Sequence, residues 1–204
     1  MELVSSLESG VRPPAGHVVF QSCDGQRYSF RVSTLSQFSK FAEGLLLNAD
    51  LCDSEDVVLS AERGGGAALQ AVATWVRRHE SVAPSRVAMP MASVPRVEDL
   101  YSDGWDLQLL QHVAAAVNNQ GPPLPSMQKL YNVALLSSFL QLTPLTLAVG
   151  AYFSFHIRAC LRKGESPTRL VRQWFGKQGD YTPDEVRSMT DWMKDTCSDL
   201  QVKE

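Results

Sequence analysis

Four histidines and four cysteines are the side chains in this 204-residue sequence best suited to binding a metal or attacking an electrophile. Their spacing assigns them neither task. His17, His79, His112 and His156 share no zinc-ligand spacing with one another or with Cys23, Cys52, Cys160 and Cys197, and there is no C-x-x-C pair. His156 and Cys160 stand four residues apart, about one helical turn, so a thiol nucleophile would need the fold to bring an acid to both. An inert core thiol is the expected role of Cys160. The GxSxG elbow, the GxxxxGKS/T phosphate loop and the HExxH zinc helix are all absent. Gly176-Lys177 lacks the glycine and hydroxyl residue that a phosphate loop needs around it, and is expected to be a loop. No catalytic residue, metal or cofactor is expected.

Charge and apolar residues point toward binding instead. Between His156 and Lys177 the chain carries Arg158, Arg162, Lys163, Arg169, Arg172 and Lys177 against Glu165 alone, whereas 180–204 is acidic. Basic helix ends beside an acidic final helix, all solvated, are one expectation. A docking surface for acidic partner residues is the alternative. The net charge of −3 and a pI near 5.8 argue against a nucleic-acid binder. Leu170, Trp174, Phe175, Met189, Trp192 and Met193 are a large apolar load for the last two helices. Such stripes ordinarily form core. Little sequence follows Trp192 to cover them, so a groove for a partner's helices is the other expectation.

The elements that would carry these residues follow from composition and period. With 44% hydrophobic and 20% charged residues, the chain is expected to be soluble, with one good core and a small appended unit. The N-terminus has no basic segment leading into an apolar run, so no secretory signal is expected. The apolar stretch Leu145 to Ile157 is too short for a bilayer and is interrupted by Thr146, Gly150, Ser154 and His156, so no membrane span is expected. Dispersed cysteines and the lack of an N-x-S/T sequon fit a reducing compartment, the cytosol or nucleus.

Val18 to Val32 reads as two strands folded about Asp24-Gly25 in a two-residue hairpin. Residues 33–49 hold Leu35, Phe38, Phe41, Leu45 and Leu46 at helical spacing, one helix or two, with Ser33 or Thr34 as cap. Asp56 to Ala61 suits a third strand. After Gly64-Gly65-Gly66, Leu69, Val72 and Val76 mark a helix face, with Arg77, Arg78 and His79 in its last turn. Residues 81–96, with three prolines, form an extended connector to a helical half. There, Asn118 to Pro125 is a loop between helices, and Thr143-Pro144 caps and starts a helix running to Lys163 and stopped by Gly164. Ser166-Pro167 opens the next helix. Thr182-Pro183-Asp184-Glu185, a capping box, opens the last, along which Val186, Met189 and Met193 form a stripe flanked by Trp192.

"FQSCDGQRYSF", "AVATWVRRHE", "WDLQLL", "KGESP" and "DYTPDEV" occur in the order of landmark segments in another group of proteins. These are a hairpin with a Ser-x-Asp-Gly turn, a Trp-containing helix ending in His, a Trp-Asp opening of the second half, Lys-Gly-x-x-Pro, and Asp-Phe-Thr-x-Glu-Glu. In this the chain resembles the S-phase-kinase-associated adaptor family of Skp-cullin-F-box ubiquitin ligases, over about Val18 to Met193. The resemblance implies an α+β fold in which a BTB/POZ-like unit, a three-stranded sheet with helices, precedes a C-terminal helical extension. It divides the chain into a flexible N-terminus (1–16), an α/β half (17–80), a connector (81–98), a helical half (99–163) and F-box-binding helices (164–204). It further implies an adaptor without enzymatic activity that binds an F-box protein through Leu161, Leu170, Phe175, Met189 and Trp192. Ser138, Phe139, Leu140 and Leu142 would face a cullin. Where the family reads Ala-Asn-Tyr-Leu-Asp-Ile, this chain reads Ser-Ser-Phe-Leu-Gln-Leu from Ser137, losing an amide, a carboxylate and a hydroxyl. A second reading therefore keeps the F-box partner and omits the cullin.

Overall fold

The computed structural model describes residues 3–8, 11–47, 56–60, 65–89, 94–114, 127–175 and 181–188, with backbone only at 45–47. It is a mixed α+β chain that divides into two compact units, Met1–His156 and Ile157–Glu204.

The first unit holds the sheet. Strands β1 (His17–Gln21) and β2 (Arg27–Arg31) pair antiparallel with Val19 opposite Ser29, and β3 (Val57–Val58) runs parallel to β1 on its other side. A central strand covered on both faces buries consecutive residues. Val18, Val19 and Phe20 are all buried, whereas β2 keeps an alternation with Tyr28 and Phe30 inward.

The hairpin departs from its expected two-residue loop. The Ser22 and Gln26 backbones still pair, Ser22 N–H to Gln26 carbonyl at 2.9 Å, leaving Cys23, Asp24 and Gly25 as a three-residue loop. Gly25 has φ +81°, the left-handed conformation that closes such a loop and that a Cβ would strain. Asp24 explains the geometry. Its carboxylate accepts from the Ser22 hydroxyl and, at 2.9 Å, from the Gly66 N–H. The turn thereby caps the following helix, whose own N-cap, Gly65, has no side chain to offer.

The stretch after the hairpin forms two helices, α1 (Val32–Leu35) and α2 (Lys40–Leu47). Ser33 and Thr34, expected as caps, lie inside α1; Arg31 occupies the cap position and makes no side-chain cap bond. Capping falls to Ser39, whose hydroxyl accepts from Ala42 N–H at 3.1 Å to start α2 and donates to the Leu140 carbonyl.

Helix α3 (Gly66–Arg78) packs on β2 and on α4 (Gly104–Ala114) and α5 (Met127–Phe139). That central position explains why it is buried almost all round, from Ala68 through Val76 with Gln70 half-exposed. Each fully buried large side chain, Leu69 and Trp75 among them, is worth roughly 1.5–3 kcal/mol before the cost of ordering the chain.

The connector is irregular over its described residues but held in place. Ala88 N–H bonds the Leu100 carbonyl at 2.9 Å and Ser102 N–H the Arg86 carbonyl at 3.1 Å, next to a short 3₁₀ turn, Val97–Leu100. Residues 3–8, expected within a flexible N-terminus, are tied to two elements. Leu7 N–H bonds the Arg27 carbonyl at 2.7 Å on the outer edge of β2, and Val4 N–H bonds Thr74 Oγ1 at 3.1 Å on α3. Polar sheet-edge groups that would otherwise stand open are partly satisfied in this way.

Helix α6 (Thr143–Arg162) contains the division between the units, which falls before the Gly164 turn rather than at it. Thr146 N–H bonds the Leu142 carbonyl at 3.0 Å, so Leu142, not Thr143, holds the N-cap position, and Pro144 lies in the first turn. At the other end Gly164 takes φ +73°, while Glu165 and Gly164 N–H groups bond the Cys160 and Leu161 carbonyls at 3.1 and 3.0 Å. This double closure is how a left-handed glycine stops a helix.

In the second unit, α7 (Pro167–Trp174) starts at Ser166, whose hydroxyl accepts from Arg169 N–H at 3.3 Å. Residues 183–188 are helical behind the expected capping box. Glu185 accepts from Thr182 N–H at 2.9 Å, and Thr182 Oγ1 accepts from Glu185 N–H at 3.2 Å. No helix of the described residues is long and apolar enough to cross a membrane.

Candidate functional site

His79 and Asp106 form the most buried polar cluster of the described chain. Expected in the solvated last turn of α3, His79 is instead the C-cap residue and turns inward, its side chain fully buried. Its Nε2 lies 3.0 Å from Asp106 Oδ1 and its Nδ1 lies 2.8 Å from the Val82 carbonyl oxygen. The other carboxylate oxygen of Asp106 accepts from Ser85 N–H at 3.0 Å. Burial pushes the Asp106 carboxyl up, but the His79 and Ser85 hydrogen bonds outweigh it, leaving the group below its ordinary range. Trp105 packs edge-on to His79 at 5.9 Å and carries the Arg78 guanidinium at 5.6 Å from its ring. Both imidazole nitrogens thus face acceptors and neither faces solvent. The cluster fastens α3, the connector and α4 together, and is not open to a substrate.

Among the described residues, Cys160 and His156 are placed no better for catalysis. Burial first, then the neighbouring Glu165, raises the Cys160 thiol and keeps it protonated, a poor nucleophile. Burial lowers His156, which stacks on Tyr152 with ring centres 4.6 Å apart; its Nε2 has no hydrogen-bond partner among the described residues. No group of three potential metal ligands comes together among the described residues. Gly176-Lys177, Cys52, Cys197 and the loop at Asn118 to Pro125 lie outside them.

The corner between α5 and α6 carries the four residues expected to face a cullin, and it splits them. Ser138 is exposed and Phe139 half-buried, its ring 5.5 Å from that of Phe41 on α2. Leu140 and Leu142 expose no surface at all and belong to the core. The reason lies across the chain. Ser39 donates to the Leu140 carbonyl and forms an antiparallel bridge with Leu142, drawing that backbone and its side chains into the core. To make the reversal, Gln141 adopts φ +53°, a left-handed conformation costing a non-glycine residue about 1–2 kcal/mol. Gln141→Gly is therefore expected to raise the unfolding free energy by about 0.5–1 kcal/mol, after the glycine's greater unfolded-state freedom is deducted. A urea titration followed by circular dichroism would measure it.

The residues expected to clasp an F-box fall in the second unit. Leu161 is 56% exposed near the end of α6, Phe175 is 39% exposed just after α7, and Leu170 is half-buried. Met189 and Trp192 lie outside the described residues. Among the described residues of this unit Arg172 acts as a tie, its guanidinium 2.9 Å from Glu185 and 4.8 Å from the Tyr181 ring centre. The Thr182 N–H first, then Arg172, bring the Glu185 carboxyl down to about 2. Tyr181 (40%) and Val186 (46%) add to the exposed apolar surface. Among its described residues the unit therefore combines a polar tie between Arg172 and Glu185 with exposed apolar side chains.

Sequence reasoning passed over His79, Asp106 and Ser39 as interacting residues. Asp106 was visible within the Trp-Asp segment and His79 at a helix end, but nothing in a separation of 27 residues announces a hydrogen bond. No family model matches the chain, and no curated protein matches it.

Proposed function

We propose that the chain is a non-enzymatic adaptor of the Skp type, acting in the cytosol or nucleus. Its BTB/POZ-like first unit would be followed by a helical unit that binds an F-box protein and links it to a cullin-based ubiquitin ligase. The observation that carries this reading is the concentration of exposed apolar side chains in the small second unit, at Leu161, Phe175, Tyr181 and Val186. The order of the sequence segments supports it, as does the three-stranded sheet with helices packed against it. A surface of this kind gains most of its affinity from apolar anchors placed in a partner's pockets.

One observation favours a second reading, in which the F-box partner is kept within an assembly that lacks a cullin. Of the four residues expected on the cullin side, Leu140 and Leu142 are core, leaving Ser138 and Phe139. Neither supplies the amide or phenol hydroxyl that the family carries there.

Purification of the tagged chain at native abundance, followed by mass spectrometry, tests both readings. Several F-box proteins together with a cullin are expected for the ligase, and one fixed F-box partner without a cullin for the alternative. Recovery of no F-box protein, confirmed by failure of the purified chain to bind any cognate F-box domain, would sink both.

A further inference from the structure

We propose that residues 3–8 are an autoinhibitory strap, and that the site they fill at the outer edge of β2 takes, in their place, an extended partner segment with aliphatic side chains three residues apart. The Ser22–Gln26 backbone bond fixes which groups of β2 face outward. In an antiparallel pair, residues that exchange hydrogen bonds alternate with residues that do not, so Tyr28 and Phe30 bond to β1 while Arg27 and Ser29 turn their N–H and C=O away from it. The strap meets this edge at Leu7, whose N–H bonds the Arg27 carbonyl at 2.7 Å, and the Arg27 guanidinium in turn donates to the Glu8 carbonyl at 2.8 Å. Helix α3 supplies the other side of the site. Thr74 Oγ1 accepts from Val4 N–H at 3.1 Å, and the Gln70 side-chain amide donates to the Val4 carbonyl at 3.0 Å.

These contacts read backbone and aliphatic bulk. Each of these polar bonds ends on a main-chain group of the strap, which any extended peptide offers, while Leu3, Val4 and Leu7 are half-buried and Ser5, Ser6 and Glu8 are exposed. Strand addition at a sheet edge works in this way, main-chain bonds giving affinity and side-chain contacts giving selectivity. Thr74, 3% exposed within α3, already donates its hydroxyl to the Gln70 carbonyl at 2.8 Å and keeps its lone pairs for a peptide N–H. The strap fills the edge incompletely. Continued along β2 from the Leu7–Arg27 bridge, an antiparallel strand would set the position of Ser5 opposite Ser29 and leave the Val4 groups facing away from β2. The pairing stops at that single bridge. Among the described residues Ser29 finds no backbone partner on that side, and its buried Oγ has no partner at all. An extended segment that pairs there as well gains backbone bonds that the strap forgoes, and so can displace a cover tethered to the same chain.

The test uses the full chain, the variant Leu7→Pro, which lacks the N–H given to Arg27, and a chain without residues 1–8. The probe is a fluorescent copy of residues 3–8, Leu-Val-Ser-Ser-Leu-Glu, and its control carries serine in place of the valine and the second leucine. In anisotropy titrations the probe is expected to bind each opened chain at least about tenfold more tightly than the natural one, because no strap competes in cis. The serine control should bind none of them. Amide exchange on the natural chain gives a second reading. Leu7 N–H should exchange at least about a hundredfold faster than Phe20 N–H on the central strand, as for a segment that opens on its own. Failure of the probe to bind either opened chain would overturn the proposal, as would equal binding to the natural and opened chains or equal binding of the serine control. Exchange at Leu7 as slow as at Phe20 would overturn it too. So would loss of the fold in both variants, seen by circular dichroism, since a displaceable cover is not what holds the sheet together.

Discussion

Replacing Asp106 with alanine is expected to destabilise the first unit by about 3–5 kcal/mol, the range for removing one member of a buried, hydrogen-bonded polar pair. The substitution strands His79 Nε2 and the Ser85 N–H together, since the two carboxylate oxygens serve one each. Asparagine should restore only part of the loss. It keeps an acceptor oxygen for the Ser85 N–H but puts a neutral NH₂ in place of the carboxylate charge opposite His79 Nε2. Against a total stability of about 5–15 kcal/mol for an ordinary domain, the alanine change should move the urea midpoint of the first unit far enough to measure directly.

The pH dependence of that difference follows from the sign of the shift at Asp106. A carboxyl whose folded value lies below its unfolded value contributes fully above the unfolded value and loses the contribution as pH falls through the folded one. The advantage of the natural protein over Asp106→Ala should therefore hold from neutrality down to about pH 5 and shrink below about pH 4. A difference that grew on acidification would contradict the assignment of a carboxylate at this position.

Trp192→Ala is expected to weaken binding of a cognate F-box domain by about 2–4 kcal/mol, the cost of truncating a large aromatic anchor, without unfolding the first unit. Isothermal titration gives the affinity, and near-ultraviolet circular dichroism reports the first unit through Trp75 and Trp105, both within it. The expectation rests on sequence and on neighbouring structure. The sequence stripe of Val186, Met189 and Met193, flanked by Trp192, begins beside described residues that expose apolar surface, Val186 at 46% and Tyr181 at 40%. Unchanged affinity in the variant, or equal loss of affinity and of first-unit structure, would show that Trp192 is not an anchor.

Local grammar in this chain proved legible at several helix ends where the deciding interaction spans a few residues. The capping box at Thr182 and Glu185, the serine cap at Ser166 and the glycine stop at Gly164 formed as their residue types require, because each bond closes within one turn. The strand–turn–strand pattern and the α+β class followed from hydrophobic period for the same reason. The hairpin loop did not, because Asp24 answers to Gly66 on another element as well as to its own turn.

What the sequence determined by itself was therefore the inventory: strands, helices, most of their ends, the gathering of cations between His156 and Lys177, and the apolar residues that follow Leu161. Tertiary structure alone decided which of those residues a partner can reach. Leu140 and Leu142 look, in sequence, as available as Leu161, yet Ser39 pulls their backbone inward, and Leu161 is left in solvent. Tertiary structure likewise turned His79 from a helix-end charge into a buried partner of Asp106. The physical reason is one of range. Helix caps and turns are settled by bonds between near neighbours, whereas burial depends on which distant segment arrives to compete for the same surface and the same hydrogen bonds.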